Sequence, residues 1–555
     1  MRAYSRIIVG IISCILLAGG AYLWAYKMAE SIYTYRSPLS QNPPIPGPAL
    51  GQPLTRQFVF LILDALREDT SLSTDIMPTL NKLRQQGAWA TMHSRPPSYS
   101  ETSYTTLLTG AWPEINDGPA FNLIYSDIPT FTQDDIFSAA HRAGLTTAIS
   151  AYDWYEKLVP QGAVTSGFYT TGDDQFADRQ VVDAALPWLK SRNFHLILIH
   201  MDQIDYAGHY EGGPLKEEWN AAAQRVDKLV SEIVSTLDFS MDTLFICSDH
   251  GQTDQGGHGG HDLITLIEPF ILVGAGVKPG HYNDVQMVDV APTASALLGT
   301  NIPASSQGNV LMDMLVLSAD QYQKIVTATQ VQQNQLLQAY FQSISQTAPL
   351  GSGSDIVSKT QAAMQEAHST RLNAERVPRG IASLLIALLP LLVLVIYIRW
   401  KHLRWQTITW LLGGALIYIA VFNLRYAILD KRTYSFSTIS LEVELISYIT
   451  ITTFIALVVG WVFSLIVLKA FQKGTFKAVE TTVGMNLMVI YLLAVPVLWN
   501  YILNGALITW TLPELGVFYL ALLALIQIII VAGVGIIFSG VAVLVVRPIN
   551  RRPAI

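Results

Sequence analysis

The chain has 555 residues, more than one folding unit usually holds. Charged residues make up only 14% of it against 51% hydrophobic, well under the roughly 25% charged of soluble domains, and the deficit is concentrated in 381–546. A net charge of −7 argues against a nucleic-acid binder, and the two cysteines, Cys14 and Cys247, fall in apolar segments that predict no disulfide.

From the N-terminus, 7–24 is an apolar run behind Arg2 and Arg6. Its length, the lack of a small-x-small cleavage site and the aromatic Tyr22, Trp24 and Tyr26 predict an uncleaved membrane anchor rather than a signal peptide. Residues 28–53 read as a linker, rich in Pro, Gly, Ser and Gln over 37–53. FVFLIL at 58–63 predicts a buried parallel strand. Asp64 stands at its carboxyl end, where open α/β sheets bind ligands, or else caps the next turn. A helical pattern follows at 77–87. RPPSYSETSYTTLLTG at 95–110 then reads as a loop entering a helix, whose first N–H groups attract phosphate or sulfate. A serine there serves as N-cap or as nucleophile.

Residues 136–144 predict a helix and 146–150 a short strand, the alternation of a doubly wound sheet. FHLILIH at 194–200 is another buried run, followed by Asp205 and His209, four apart. That spacing lets a carboxylate and an imidazole converge on one ion; a capping Asp with a surface His is the alternative. After an amphipathic helix at 217–237 comes TLFICSDHGQTDQGGHGGH at 243–261. An apolar strand there breaks into Ser248-Asp249-His250-Gly251 and a glycine-rich loop carrying His258 and His261, a donor set suited to a hard or borderline cation. EPFILVG at 268–274 predicts a strand, and 287–299 a helix with Asp289 near its start. Two Gln- and Ala-rich helices, 319–341 and 355–376, read as a stalk; they lack the clean heptads of a coiled coil.

Further apolar segments run at 381–398, 408–424, 445–468, 485–503 and 515–546, near or above the ~20 residues that cross ~30 Å of hydrocarbon. The last is overlong and is expected to tilt, protrude or hide a re-entrant piece. With six alternating spans, Arg2, Arg6, Arg399, Lys401, Arg404, Lys469, Lys473, Lys477, Arg547, Arg551 and Arg552 fall on one side. Arg425, Lys431 and Arg432, mixed with Asp430, Glu442 and Glu444, fall on the other. The positive-inside rule puts both termini in the cytoplasm and the large domain outside it.

Five motifs in order carry a family resemblance: Leu-Asp-Ala-Leu-Arg, Pro-Pro-Ser-Tyr-Ser…Leu-Leu-Thr-Gly, Asp-Tyr-Ala-Gly-His, Ser-Asp-His-Gly and Asp-Val-Ala-Pro-Thr. Over 58–299 the chain resembles the alkaline phosphatase superfamily, and within it the type I phosphodiesterase/nucleotide pyrophosphatase branch and the related GPI ethanolamine phosphate transferases. The resemblance implies an α/β fold, an alkaline-phosphatase-like mixed or parallel sheet flanked by helices. That domain is expected at 54–317, with the anchor at 1–27, the linker at 28–53, the stalk at 318–378 and a five-helix membrane domain at 379–548.

The resemblance also implies two divalent metal ions. Asp205, His209 and His258 would hold one, and Asp64, Asp249, His250 and the nucleophile oxygen the other. His258 is preferred over His261 because it precedes Glu268 by the family's ten residues; His261 is the fallback. Ser100 is the expected nucleophile and Ser98 the runner-up. Ser103, a candidate substrate contact, stands where the phosphodiesterase branch has an Asn that helps hold phosphate. Mixed His and Asp ligands suit zinc, with manganese or magnesium as alternatives. The expected protein is thus a membrane-anchored, extracytoplasmic two-metal phosphoryl transferase or phosphodiesterase working through a phosphoserine. A phospholipid head group or lipid-linked phosphodiester is the expected substrate. Two other readings stay open: a nucleotide pyrophosphatase-type hydrolase, and a catalytically inactive membrane assembly or transport protein. No Cys/Ser-x-Pro-x-Arg pattern marks a sulfatase.

Overall fold

The computed structural model describes residues 2–349, 355–401, 405–471 and 475–546. Among the described residues nine strands form one sheet: β1 (Gln57–Leu63), β2 (Ala88–His93), β3 (Thr147–Tyr152), β4 (Ser166–Thr170), β5 (Leu196–Met201), β6 (Asp242–Cys247), β7 (Ile267–Gly274), β8 (Gly280–His281) and β9 (Val285–Gln286). Their order is β4-β3-β5-β1-β6-β7-β2-β8, with β9 on β2. Strands β4 to β6 along this order are parallel, and β7 runs antiparallel to both its neighbours. The sheet is therefore mixed.

The three long apolar runs of the sequence occupy the middle. β5, β1 and β6 lie side by side, with Phe58 opposite Leu196 and Thr243, and every residue of the three is buried. Central parallel strands need cover on both faces, which explains continuous rather than alternating hydrophobicity. Phe58, Phe60 and Ile62 face one core with Phe245, Phe270 and Leu297. Val59, Leu61 and Leu63 face the other, beneath Trp219, Val226 and Val230 of the amphipathic helix Glu217–Val234. β2, β4 and the helix Gln175–Ser191 have no counterpart in the sequence reading.

Among the described residues, six helices are long and apolar enough to cross a membrane: Ile8–Tyr33, Ile356–Ile396, Ile408–Leu429, Glu444–Val467, Thr481–Asn504 and Leu515–Ile537. The last belongs to one continuous helix, Leu515–Val546. Buried polar pairs tie the bundle together, Tyr418 donating to Gln527 at 2.6 Å and Trp461 to Asn486 at 2.9 Å. Arg404, Lys473, Arg547, Arg551 and Arg552, used above for orientation, lie outside the described residues.

Two connecting stretches are more ordered than their composition implies. The N-terminal helix continues to Tyr33. Arg36 beyond it pairs with Asp117 at 2.5 Å, and Leu39 is buried. The helix Ala319–Ser343, expected in a stalk, packs Leu336, Leu337 and Tyr340 against Leu39, Ile115 and Met364. The helix Ile356–Lys401 then runs unbroken from this packing into the first C-terminal span.

Candidate active site and metal centre

Because β1, β5 and β6 are parallel neighbours, their carboxyl ends open on one rim. Asp64 follows β1, and the next residue, Ala65, has φ 59, in the left-handed region that side chains rarely enter. The turn lets the Ala65 N–H donate to Asp249 Oδ1 at 3.1 Å. Asp249 and His250, both fully buried, follow β6. Asp205 and His209 stand one turn apart on the helix Gln203–Tyr210 after β5, so both point to one side. The loop after β6 returns His258, also buried, to the same place.

The six side chains converge as two adjoining groups. His209 Nε2 is 3.0 Å from His258 Nε2 and 3.3 Å from Asp205 Oδ2, and His258 Nε2 is 3.6 Å from Asp205 Oδ1. His250 Nε2 is 3.3 Å from Asp249 Oδ2 and 3.5 Å from Asp64 Oδ1. The groups abut through the rings of His250 and His258, stacked at 3.9 Å. Two sets, Asp205/His250/His258 and Asp64/Asp249/His250, each keep their donor atoms within 4.8 Å of one another.

Ser100 is the first residue of the helix Ser100–Thr109, and its Oγ lies 3.1 Å from His250 Nε2. The cap position belongs to Tyr99, with no side-chain bond, so the serine is not an N-cap. Its neighbourhood is the positive end of a ten-residue helix, where N–H groups favour an anion. Ser98 is engaged elsewhere: its Oγ accepts from the Gly259 N–H at 3.0 Å and lies 3.0 Å from Thr265 Oγ1, and its carbonyl faces His258 Nδ1 at 3.0 Å. His261 is exposed and turns from the cluster toward Gly516, at the start of the last apolar helix. Ser103 is buried one turn beyond Ser100.

Three supporting residues escaped the sequence reading. Tyr104 donates its hydroxyl proton to Asp64 Oδ2, which His200 Nε2 also approaches at 2.9 Å. Asp64 is thereby held by one oxygen, and Oδ1 is left facing His250. Gln252 donates to Asp205 Oδ1 at 2.5 Å. Its side chain lies flat on Gly208, where an added Cβ would sit 1.5 Å from Gln252 Oε1. That contact is the reason for glycine between the two candidate ligands of this helix. All three residues and Gly208 lie inside the quoted runs, but nothing in their type or spacing signals these contacts.

The donor chemistry fits divalent cations. Asp64 Oδ1 and Asp249 Oδ2 are buried without a hydrogen-bond partner, which is costly for a carboxylate unless a cation is close. Burial, then the neighbouring Asp64, push the Asp249 carboxyl well above the usual range. Burial, then His250 and His209, push the His258 imidazole well down, leaving it neutral with a free lone pair. Nitrogen and carboxylate donors in this mixture suit zinc better than magnesium.

The mixed sheet, its rim and the paired Asp/His groups are arranged as the motif resemblance noted in the sequence implies. Residues 58–270 match the family model for type I phosphodiesterase / nucleotide pyrophosphatase. The chain's curated relatives include the human GPI ethanolamine phosphate transferase 2 catalytic subunit, 27% identical over 303 residues, covering 49% of this chain and 30% of that one. The Aspergillus fumigatus GPI ethanolamine phosphate transferase 2 is 26% identical over 287 residues, covering 47% and 37%. The chain thus spans about a third of the length of these relatives. Among solved structures, human ectonucleotide pyrophosphatase / phosphodiesterase 5 is similar at 16% identity and a TM-score of 0.39, covering 44% of this chain and 95% of that one.

Proposed function

We propose that the chain is a membrane-anchored phosphoryl transferase that moves a phospho-alcohol head group, of the phosphoethanolamine kind, from a phospholipid to a lipid-linked acceptor. What carries the reading is the meeting of Asp64, Ser100, Asp205, His209, Asp249, His250 and His258 at one rim of a sheet joined to six apolar helices. In this reading Asp205, His209 and His258 hold one divalent ion, and Asp64, Asp249, His250 and Ser100 Oγ the other. Bound zinc would lower the pKa of the serine hydroxyl and stabilise charge on the entering and leaving oxygens.

The chain's own residues do the rest. Ser100 Oγ attacks phosphorus, forming a phosphoserine ester as the lipid alkoxide leaves and takes up a proton. The first N–H groups of the helix Ser100–Thr109 orient the phosphoryl oxygens. Tyr104 and His200 keep Asp64 aimed, and Gln252 does the same for Asp205. An acceptor alcohol then attacks the same phosphorus and frees Ser100. Water in that second step would make the enzyme a phosphodiesterase, the activity in the family's description. Six spans favour the transferase, because one anchor suffices to tether a hydrolase. The catalytic domain is taken to face away from the cytoplasm, with both termini inside it.

The test uses the purified full-length protein in detergent, with and without chelator, on bis-p-nitrophenyl phosphate and on phosphatidylethanolamine plus glycolipid acceptors. Chelator-sensitive head-group transfer is the expected result. Nitrophenol release without transfer would replace the transferase by a hydrolase, and activity in a metal-free preparation would end the reading altogether.

A further inference from the structure

The loop that carries His258 is held from two sides, and only one belongs to the catalytic domain. On that side the Ser98 carbonyl faces His258 Nδ1, and the Gly259 N–H donates to Ser98 Oγ. On the other lies 430–441, the connection between two of the apolar helices, which ends at Glu442. Within it, Ser437 Oγ accepts from the Gly260 N–H at 3.0 Å, and Ser435 Oγ accepts from the His261 N–H at 3.0 Å. Both serines are buried. The Thr253 hydroxyl donates to the Ser437 carbonyl at 3.4 Å, and Ser440 donates to the carbonyl of His209, itself a candidate ligand, at 3.3 Å.

The approach is close enough to demand glycine. A Cβ on Gly257 would lie 2.4 Å from the Ser437 carbonyl oxygen and 2.6 Å from that of Ile439. A Cβ on Gly260 would lie 1.9 Å from Ser435 Oγ. The connection is anchored in turn by Phe436, whose ring meets Phe121 at 5.1 Å on the catalytic side and Tyr519 at 5.1 Å on the last apolar helix. A glycine-rich loop has little conformational preference of its own. Its geometry here comes from these partners.

We propose that the membrane part of the chain positions a metal ligand: 433–440 is a strap that clamps 257–261, with Ser435 and Ser437 as positioning residues for His258. The strap lies outside the stretch matched by the phosphodiesterase family, so it is a feature of this chain's architecture beyond the shared domain. The proposal rests on His258 and His209 holding metal. It requires that zinc affinity at one site of the pair depend on hydroxyls borne by the membrane region, while the Asp64/Asp249/His250 site, to which no strap hydrogen bond runs among the described residues, is spared.

The experiment measures zinc affinity of the full-length protein in lipid nanodiscs by chelator competition, for wild type, for Ser435→Ala/Ser437→Ala and for Gly257→Ala, alongside melting of the zinc-free forms. The serine pair is expected to weaken one of two zinc equivalents by about 10- to 100-fold, as loss of supporting hydrogen bonds around ligands does, and to leave the other unchanged. Gly257→Ala, which forces the strap away without touching a hydroxyl, should weaken the same equivalent. Two unchanged equivalents in all variants would overturn the strap. So would equal weakening of both together with a lower zinc-free melting point, because that reports general unfolding. Wild type that binds no zinc would instead overturn the functional reading beneath it, and the strap with it.

Discussion

Tyr104→Phe removes one hydroxyl at the centre of the site, which donates to Asp64 and lies 2.8 Å from His200 Nε2. Tyr104 is buried, as is its partner Asp64, and the two are 40 residues apart in sequence. The substitution removes one oxygen and leaves the ring stacked on Tyr155 at 4.6 Å. Asp64 keeps its contact with His200 Nε2 at 2.9 Å, so it is loosened rather than released. A hydrogen bond to a charged group contributes about 1.5–3 kcal/mol. Through 1.4 kcal/mol per factor of ten, that corresponds to roughly 10- to 100-fold, the range found when support around a metal ligand is lost. The expected outcome is a loss of that size in zinc affinity, measured by chelator competition, and a similar loss in kcat/KM on bis-p-nitrophenyl phosphate. KM should change little, since the hydroxyl is directed at Asp64 and not at substrate. Wild-type zinc affinity in Tyr104→Phe would refute the argument that Asp64 is held in place by its second oxygen.

Other predictions follow from the same geometry. Ser100→Ala should abolish turnover with metal content intact, whereas Asp249→Ala should lose metal as well; elemental analysis beside the assay separates them, and activity surviving in Ser100→Ala but lost in Ser98→Ala would relocate the nucleophile. Gly208→Ala should displace Gln252 from Asp205 and lower metal affinity; unchanged affinity would show that Gln252 is no brace. Burial pushes the Glu101 carboxyl up to about 9 from 4.5, so the folded protein is most favoured below pH 4.5 and loses this contribution as pH climbs toward 9. Glu101→Gln has nothing to ionise, and its melting advantage over wild type should grow from pH 5 to pH 9; parallel profiles would contradict the burial argument. Zinc binding should weaken as pH falls, because Asp249 must shed a proton while His258 is already neutral.

The parts of the fold legible in the sequence are those where one physical demand acts alone. β1, β5 and β6 are covered on both faces and appear as unbroken apolar runs, and the residues that follow such runs are placed at the rim by the parallel topology itself. β2 alternates between buried and partly exposed positions over AWATMH, and the edge strand β4, SGFYT, is only half buried, so neither shows a clear pattern. The helix Gln175–Ser191 carries Pro187 inside, which breaks the helical signal. At the site, candidate ligands announce themselves by type and position. Tyr104 and Gln252 do not, because their roles exist only once Asp64 and Asp205 come within reach from 40 and 47 residues away. Ser435 and Ser437 are further removed still. They read as ordinary hydroxyls in a polar turn until the glycine loop arrives against them.

The helix Ile356–Lys401 has a mechanical meaning. It runs 46 residues, roughly 70 Å at 1.5 Å per residue, more than twice the ~30 Å of a hydrocarbon layer. Pro378 and Pro390 lie inside it, each removing one rung of its hydrogen-bond ladder, and Arg36, just past the N-terminal helix, pairs with Asp117. About 40 Å of the helix's length is left over beyond one hydrocarbon layer, and its first turns use that length to pack Met364 against Leu336 and Tyr340.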